Sequence, residues 1–304
     1  MNKEEIKFIK INEKINQRID NYLINKFKNI SKNDIYKIIR KGSIRINKKR
    51  VNFSYRLKLN DIIRIKEKKN IKKTLFYLNN LEKNIIYEDN YILVIKKPSG
   101  ISVHGGSGIK CGLIESIRIL RGEKNFIELV HRLDKETSGI LLLAKSKKSL
   151  IFLNKELKSK NIKKVYLALV HGKWNKKIKN IKLNIKKTLT INNKIISTIN
   201  NYGKFSISFF EFIKNYNFNS LIKIYPITGR THQIRLHLLY INNPIIFDKI
   251  YGIKKLDNKI LNSKLNRLFL HSINICFKHP YIKKKIKVFS NIDYDLCYYL
   301  KKNK

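Results

Sequence analysis

Acidic residues are scarce in this chain of 304 residues. Aspartate and glutamate together number 21, against 67 lysines and arginines, which gives a formal net charge of +46. A positive excess of this size favours a polyanionic partner, and nucleic acid is the usual one. The chain is also rich in Lys, Asn and Ile, which the codons of an AT-rich genome favour. The position of the basic residues is therefore more informative than their number.

Cysteine is rare as well, and long apolar runs are absent. The three cysteines, Cys111, Cys276 and Cys297, have no CxxC spacing, so we expect reduced thiols and no metal site. The N-terminal segment MNKEEIKFIKINEK lacks the apolar core of a signal peptide. No apolar run approaches the roughly 18 residues of a membrane-spanning helix. These absences predict a soluble, cytoplasmic protein without a membrane partner.

Arginine accounts for only 12 of the 67 basic residues, and it is concentrated in one segment. Drift toward AT-rich codons favours lysine, whereas a guanidinium offers planar, bidentate contacts that an ammonium cannot make. Six arginines lie within the first 65 residues: Arg18, Arg40, Arg45, Arg50, Arg56 and Arg64. Their clustering marks this segment as a candidate RNA contact.

The same segment has the pattern of two short helices and a small sheet. Ile19 and Leu23 recur at helical spacing, Gly42 is a natural helix stop, and a strand follows at residues 61–65. Basic residues alternate with core residues here, which favours RNA binding, while a merely solvated basic face is the alternative. The predicted RNA-binding residues are Lys32, Arg40, Lys41, Arg45, Lys48, Lys49 and Arg50.

These patterns divide the chain into four parts. We assign residues 1–16 to an N-terminal extension, 17–66 to the small basic domain, 67–84 to a polar linker and 85–304 to a larger second domain. In the second domain, strand-like apolar segments alternate with helical segments such as residues 147–160. Because no βαβ unit repeats, we predict an α+β protein with a mixed, largely antiparallel sheet.

The segment HRLDKETSG at residues 131–139 is the most informative part of the chain. It places His131, Arg132 and Asp134 within four residues, directly before the apolar strand at residues 140–144. A carboxylate on a loop at the entrance of a buried strand is held rigidly, as catalysis requires. From spacing alone, a structural aspartate that caps the following Thr-Ser turn is an equally good interpretation of Asp134.

Other kinds of catalytic site lack their signatures. A two-carboxylate arrangement of the kind that a glycosidase requires is not visible around Asp134. No His or Cys set has metal-ligand spacing, and no GxSxG nucleophile elbow is present. A lone aspartate held by an arginine would instead suit nucleophilic or base chemistry on a nucleobase or sugar. In PITGRTHQIRLH, residues 226–237, a turn precedes a helix on which His232 and Arg235 would share one face.

The spelling HRLDxxTSG resembles the signature of the pseudouridine synthases that act on large-subunit ribosomal RNA. Further blocks are similar to this family in the same order: VHGGSG (103–108), ELVHRLDKETSGILLLAK (128–145), VYLALVHG (165–172), PITGRTHQIRLH (226–237), NPIIFDKIYG (243–252) and NRLFLHS (266–272). The segment 17–66 resembles the α-L RNA-binding domain. The likeness extends from residue 17 to about residue 300, and only residues 175–220 are loosely similar.

The resemblance implies an enzyme that isomerises specific uridines of 23S-type ribosomal RNA to pseudouridine, without cofactor or metal. Asp134 would be the catalytic aspartate, linked to the uridine at either the ribose anomeric carbon or the ring carbon next to the glycosidic nitrogen. Arg235 would pair with it, and Tyr166 would stack on the base. Arg132 would enter the RNA stack where the target base leaves it. His131 and His232 are expected to be structural hydrogen-bonders.

Plainer interpretations and two other functions stay open at this stage. Tyr166 could be an ordinary strand aromatic and Arg235 a surface helix charge. A non-catalytic ribosome-assembly factor would use the same basic surface, although it needs no set of Asp134, Tyr166 and Arg235. A synthase acting on transfer RNA or another ribosomal site would keep the chemistry. The N-terminal domain favours large-subunit RNA, because some relatives with smaller substrates lack it. We expect a monomer, whose target uridines the sequence does not specify.

Overall fold

The computed structural model describes residues 5–13, 15–26, 32–67, 81–105, 112–122, 125–189, 195–258, 260 and 265–302. The chain forms two compact units. The first consists of residues Met1–Glu82 and His104–Gly122, and the second of residues Lys83–Val103 and Glu123–Lys304. Within the described part of the chain, no helix is long and apolar enough to cross a membrane.

Among its described residues, the first unit contains a small antiparallel sheet and three α-helices. The strands are β1 (Glu5–Lys10), β2 (Ile44–Ile46) and β3 (Ile62–Glu67), and the helices are α1 (Ile19–Lys26), α2 (Lys32–Arg40) and α3 (Leu113–Arg121). The strand order is β1-β3-β2. Leu23 of α1, Ile35 of α2 and Ile63 of β3 belong to one buried core. Gly42 ends α2 with a left-handed φ of +68°, as its predicted role as a helix stop requires.

The N-terminal sheet includes residues that the sequence analysis placed in an extension. Strand β1 pairs with β3 over its whole length, from Glu5 opposite Glu67 to Lys10 opposite Ile62. This edge strand is rich in lysine and leaves Phe8 exposed, so it lacks the run of core-facing residues that identifies a strand in a sequence. At least residues 5–10 thus belong to the sheet.

An eleven-stranded sheet dominates the second unit. Its strands are β4 (Ile85–Glu88), β5 (Ile92–Lys97), β6 (Glu128–Leu129), β7 (Ser138–Ala144), β8 (Lys163–His171), β9 (Asn180–Leu189), β10 (Ile195–Ile199), β11 (Lys204–Tyr216), β12 (Asn219–Pro226), β13 (Leu270–Lys278) and β14 (Lys285–Phe289). The order is β10-β9-β11-β12-β8-β13-β7-β5-β4, with β14 on β13 and β6 on β7. The helices are α4 (Lys147–Lys158), α5 (Gln233–Tyr240), α6 (Lys254–Asn258) and α7 (Tyr294–Lys302). The predicted α+β class is confirmed.

Strand β7 lies at the centre of this unit, and all seven of its residues are buried. It pairs antiparallel with β5 and parallel with β13, where Ser272 lies opposite Gly139. Gly139 has a φ of +107°, and a Cβ at this position would lie 2.2 Å from the Ser272 carbonyl oxygen. Only glycine fits this close approach. On one face, Ile140 and Leu142 pack against Leu153 of α4, so the loop before β7 stands on a rigid base.

Candidate active site

Asp134 lies on the loop between β6 and β7. The turn that follows is closed by the backbone, because the Thr137 N–H donates to the Asp134 carbonyl at 3.2 Å. The fully buried Lys97 amine donates to the carbonyl of Lys135 at 3.0 Å and ties the loop to the end of β5. Burial lowers the pKa of Lys97 to about 7. Since the backbone closes the turn, the Asp134 carboxylate is not needed for it, which weakens the turn-cap interpretation.

The Asp134 carboxylate faces two residues at the start of α5. Arg235 Nη1 lies 3.6 Å from Asp134 Oδ2, and His232 Nε2 lies 3.9 Å from the same oxygen. The side chain of Asp134 is 27% exposed, whereas that of Arg235 is 3% exposed. The acid thus remains accessible from outside, with a buried cation behind it.

The helix begins later than the sequence suggests. It starts at Gln233, and His232 precedes it with a left-handed φ of +57°. A residue other than glycine adopts this conformation at a cost, mostly where the surrounding structure requires it. The prediction that His232 lies on the helix with Arg235 is therefore wrong, although the His232 carbonyl accepts from the Leu236 N–H at 3.0 Å, as in the first turn of a helix. Both side chains nevertheless face Asp134.

Arg235 has a second, closer acid in Asp248, which the sequence analysis did not single out. Nε and Nη2 of Arg235 donate to the two carboxylate oxygens of Asp248 at 2.7 and 2.6 Å. Burial would raise the pKa of Asp248, but the hydrogen bonds from Arg235 outweigh it and hold that pKa below its ordinary value. Burial would likewise lower the pKa of Arg235, but Asp248 raises it. Arg235 is thus a fixed cation that presents its remaining nitrogen to Asp134.

Tyr166 lies on β8 and lines the same cavity as Asp134 and Arg235. It is 7% exposed and lies opposite Ser272 of β13 in the sheet. Burial and the negative charge of Asp134 raise the pKa of the Tyr166 phenol above its ordinary value. The phenol is therefore neutral at physiological pH.

Three further cations line this cavity: Arg132, Lys164 and Arg230. Arg132 is exposed, and Arg230 Nε donates to the Phe205 carbonyl at 3.1 Å. Lys164 is partly buried, and burial lowers the pKa of its amine. Cations grouped around a cleft favour a phosphate-bearing substrate. Arg132 is recognisable from its motif, whereas nothing in the sequence distinguishes Lys164 from the neighbouring lysines.

A buried polar cluster supports the loop from beneath. Arg267 Nη1 donates to Ser138 Oγ at 3.2 Å, and Arg267 Nη2 donates to Asp293 at 2.8 Å. A further hydrogen bond joins Ser138 Oγ to His271 Nδ1, 2.7 Å away. Burial lowers the pKa of His271 to about 4. Ser138 and His271 are both fully buried, so this serine and histidine hold the loop and cannot reach a substrate.

The structure brings Asp134, Tyr166, Arg235 and Arg132 into one cavity. His131 is buried and accepts a hydrogen bond from the Leu142 N–H at 3.2 Å, which fits a structural role. The predicted RNA-binding residues lie in the first unit. There Arg45 is half-buried, the side chain of Lys32 lies outside the described residues, and the following are exposed: Arg40, Lys41, Lys48, Lys49 and Arg50. The roles of all these residues stay predictions.

No group of three or more His, Cys, Asp or Glu side chains among the described residues could hold a metal ion. Cys276 and Cys297 are free thiols, and Cys111 lies outside the part of the chain that is described.

Comparison with known proteins identifies both parts of the chain. Residues 91–240 match the family model of the RNA pseudouridylate synthases, and residues 17–63 match the S4 domain. Among solved structures, human RNA pseudouridylate synthase domain containing 4 is similar with a TM-score of 0.61 at 20% identity, over 76% of this chain and 97% of that chain. That likeness shows the fold.

Sequence relatives are similar over almost their whole length. The ribosomal large subunit pseudouridine synthase C of Buchnera aphidicola subsp. Schizaphis graminum is 48% identical over 95% of this chain and 94% of its own. The protein of the same name from Pasteurella multocida is 42% identical over 95% of this chain and 91% of its own. The resemblance seen in the motifs is confirmed. The chain is an enzyme of the RNA pseudouridylate synthase family, and within it belongs with the ribosomal large subunit pseudouridine synthases C.

Proposed function

We propose that this enzyme converts specific uridines of large-subunit ribosomal RNA to pseudouridine, with Asp134 as the reacting group and without a cofactor. The relatives named above support the substrate. The observation that supports the mechanism is the partly exposed Asp134 carboxylate, which lies 3.6 Å from the buried guanidinium of Arg235. Asp248 already holds that guanidinium in place. A fixed cation beside the carboxylate orients it toward the cavity, where a carboxylate oxygen is the nucleophile.

The reaction needs no outside reagent, because substrate and product contain the same atoms. The bond between N1 of the base and the ribose anomeric carbon breaks, and a bond from C5 of the base to that carbon forms. C5 loses a proton and N1 gains one. No electrons are exchanged with another molecule, so a redox cofactor has nothing to contribute.

Asp134 can begin this exchange in two ways. Its oxygen attacks either the anomeric carbon, expelling the base, or the ring carbon next to N1, which weakens the glycosidic bond. Arg235 orients the carboxylate in both routes. Tyr166 stacks on the base as a neutral phenol, because burial and Asp134 raise its pKa. Its hydroxyl is thus a hydrogen-bond partner for the base, not a resident phenolate.

A uridine within structured RNA reaches Asp134 only after it leaves the base stack. Flipping costs a few kcal/mol for unstacking and unpairing. Arg132 is exposed, lies two residues before Asp134 and lines the cavity, so its planar guanidinium is placed to fill the vacated gap. Lys164 and Arg230 then contact the phosphates on either side of the flipped nucleotide.

We further propose that the N-terminal domain, residues 17–66, directs the enzyme to its RNA, and that one chain acts as a monomer in the cytoplasm, where ribosomes are made. The exposed Arg40, Lys41, Lys48, Lys49 and Arg50 support RNA binding through the backbone. Asp134, Tyr166, Arg235 and Asp248 all come from a single chain, so no second copy is needed to complete the site.

The test is a map of pseudouridines in unmodified large-subunit ribosomal RNA, by carbodiimide treatment and primer extension. The RNA is incubated with the wild type, with Asp134→Asn or with Glu136→Gln. The control removes the same charge from the same loop and is expected to remain active. We expect new stops with the wild type and Glu136→Gln but not with Asp134→Asn, although all three bind RNA. Full activity of Asp134→Asn would remove it from the mechanism, and no stops with any protein would favour an assembly factor or another RNA.

A further inference from the structure

Tyr251 contacts both residues that face Asp134, and the reaction described above gives it no role. Its ring centroid lies 4.9 Å from the guanidinium carbon of Arg235. The same ring meets that of His232 edge-on, with centroids 5.4 Å apart. The backbone N–H of Tyr251 donates to Asp248 Oδ1 at 3.0 Å, which links it to the acid that holds Arg235.

The hydroxyl of Tyr251 has three partners, and two of them determine where its proton lies. The Ser197 N–H donates to the hydroxyl oxygen at 2.9 Å, and the hydroxyl donates to the Ser197 carbonyl at 3.0 Å. A phenol has a single proton to donate. When the phenol gives its proton to the Ser197 carbonyl, the third contact, 2.8 Å to His232 Nδ1, has the histidine as its donor. In this arrangement His232 carries its proton on Nδ1.

In this tautomer, Nε2 of the neutral His232 ring carries a lone pair, and it lies 3.9 Å from Asp134 Oδ2. Burial lowers the pKa of His232, so the ring is neutral at neutral pH. The charged groups around the ring act in both directions. Asp134 and Asp248 favour its protonation, whereas Arg235 and Lys187 oppose it.

We propose that Tyr251 is a positioning residue that fixes the tautomer of His232, so that a proton acceptor and not a donor faces Asp134. A donor at Nε2 would attract the Asp134 carboxylate and make it a weaker nucleophile, whereas the lone pair forms no hydrogen bond to that oxygen and leaves it free for the uridine. In acid, Nε2 takes up one proton from solvent, Nδ1 keeps its own, and the imidazolium pairs with Asp134. This pairing sets the acid limit of the reaction. The role rests on the proposed function, because it requires Asp134 to be the reacting group.

The tautomer can be measured without any activity. The full chain is labelled with 15N-histidine, and long-range proton–nitrogen correlation spectra show which ring nitrogen of His232 carries hydrogen. Loss of its signals in His232→Gln identifies them. We expect hydrogen on Nδ1 alone in the wild type at neutral pH, and an altered tautomer in Tyr251→Phe. Hydrogen on Nε2 alone in the wild type would overturn the proposal, whether or not the protein makes pseudouridine.

The second experiment is the pH dependence of single-turnover pseudouridine formation. Tyr251→Phe keeps the ring beneath Arg235 and removes only the hydroxyl. We expect its rate at neutral pH to fall about tenfold at unchanged RNA affinity, as for loss of one hydrogen bond. In His232→Gln the acid limb moves to lower pH. Tyr202→Phe, which removes a hydroxyl from a side chain that is 92% exposed, should match the wild type.

Two results would refute this role. The first is a Tyr251→Phe variant with the wild-type rate and acid limb. The second is a variant that melts earlier but keeps the wild-type pH profile, since that outcome gives Tyr251 a structural task alone. A wild type that forms no pseudouridine defeats the proposed function instead, and the spectra still decide the tautomer of His232 separately.

Discussion

Replacing Asp248 by Asn should destabilise the second unit by about 3–5 kcal/mol, the usual cost of breaking a buried ion pair. The side chains of Arg235 and Asp248 are 3% and 1% exposed, so water cannot take over the lost contact. The amide of Asn keeps an oxygen for the N–H groups of Ile250 and Tyr251, so the missing charge is the main change. Against a typical total stability of about 5–15 kcal/mol, this loss is large.

The chain provides its own probe for this measurement. Trp174 is the one tryptophan, is 6% exposed, and packs on Phe210 with ring centroids 5.4 Å apart. Its fluorescence during urea unfolding therefore reports on the second unit alone. A cycle of Asp248→Asn, Arg235→Met and the double variant isolates the pair. The double variant should lose clearly less than the sum of the single ones. Additive losses, or a loss below about 1 kcal/mol for Asp248→Asn, would refute the argument.

Three further predictions follow from groups enclosed near the site. Burial lowers the pKa values of His131, His237 and His271 to about 3, 4 and 4. As the pH falls, these histidines therefore bind protons in the unfolded chain before they do so in the folded one. The free energy of unfolding should be highest above about pH 6.5 and should fall toward pH 4, by on the order of 3 kcal/mol for each histidine. Urea unfolding that shows no dependence on pH in this range would contradict this. Gly139→Ala should abolish folding, because its Cβ would lie 2.2 Å from a carbonyl oxygen. Gly100→Ala is the control and should fold, because a Cβ there has no atom within 4 Å. Equal yields of folded protein from the two variants would contradict the prediction. Lys97→Met should lower the free energy of unfolding by about 2 kcal/mol, because three carbonyl groups lose their hydrogen-bond donor. An unchanged midpoint of urea unfolding would disprove this.

Local patterns in the sequence predict several parts of this structure. The strand behind HRLDKETSG, the strand that bears Tyr166 and the fold class of the second unit all follow from apolar runs and their turns. The four residues Asp134, Tyr166, Arg235 and Arg132 were also named from motifs, and they line one cavity.

The supporting contacts could not be found in this way, because they join distant parts of the chain. Asp248 lies 13 residues after Arg235, and Ser138 contacts His271 across 133 positions. No spacing rule connects such pairs. The left-handed backbone at His232 was missed for a different reason: positive φ is uncommon for any residue other than glycine, so the residue type alone does not predict it.

The parallel pairing of β13 with β7 has a consequence for the synthesis of the enzyme. Asp134 stands at the entrance of β7, but the neighbour that β7 needs on that side begins at Leu270. During synthesis, the loop that bears Asp134 therefore leaves the ribosome long before its supporting strand exists, and contacts of such long sequence separation form late. A nascent chain that has not passed Ser272 has no finished site, so incomplete products can bind RNA through their basic N-terminal part without modifying it.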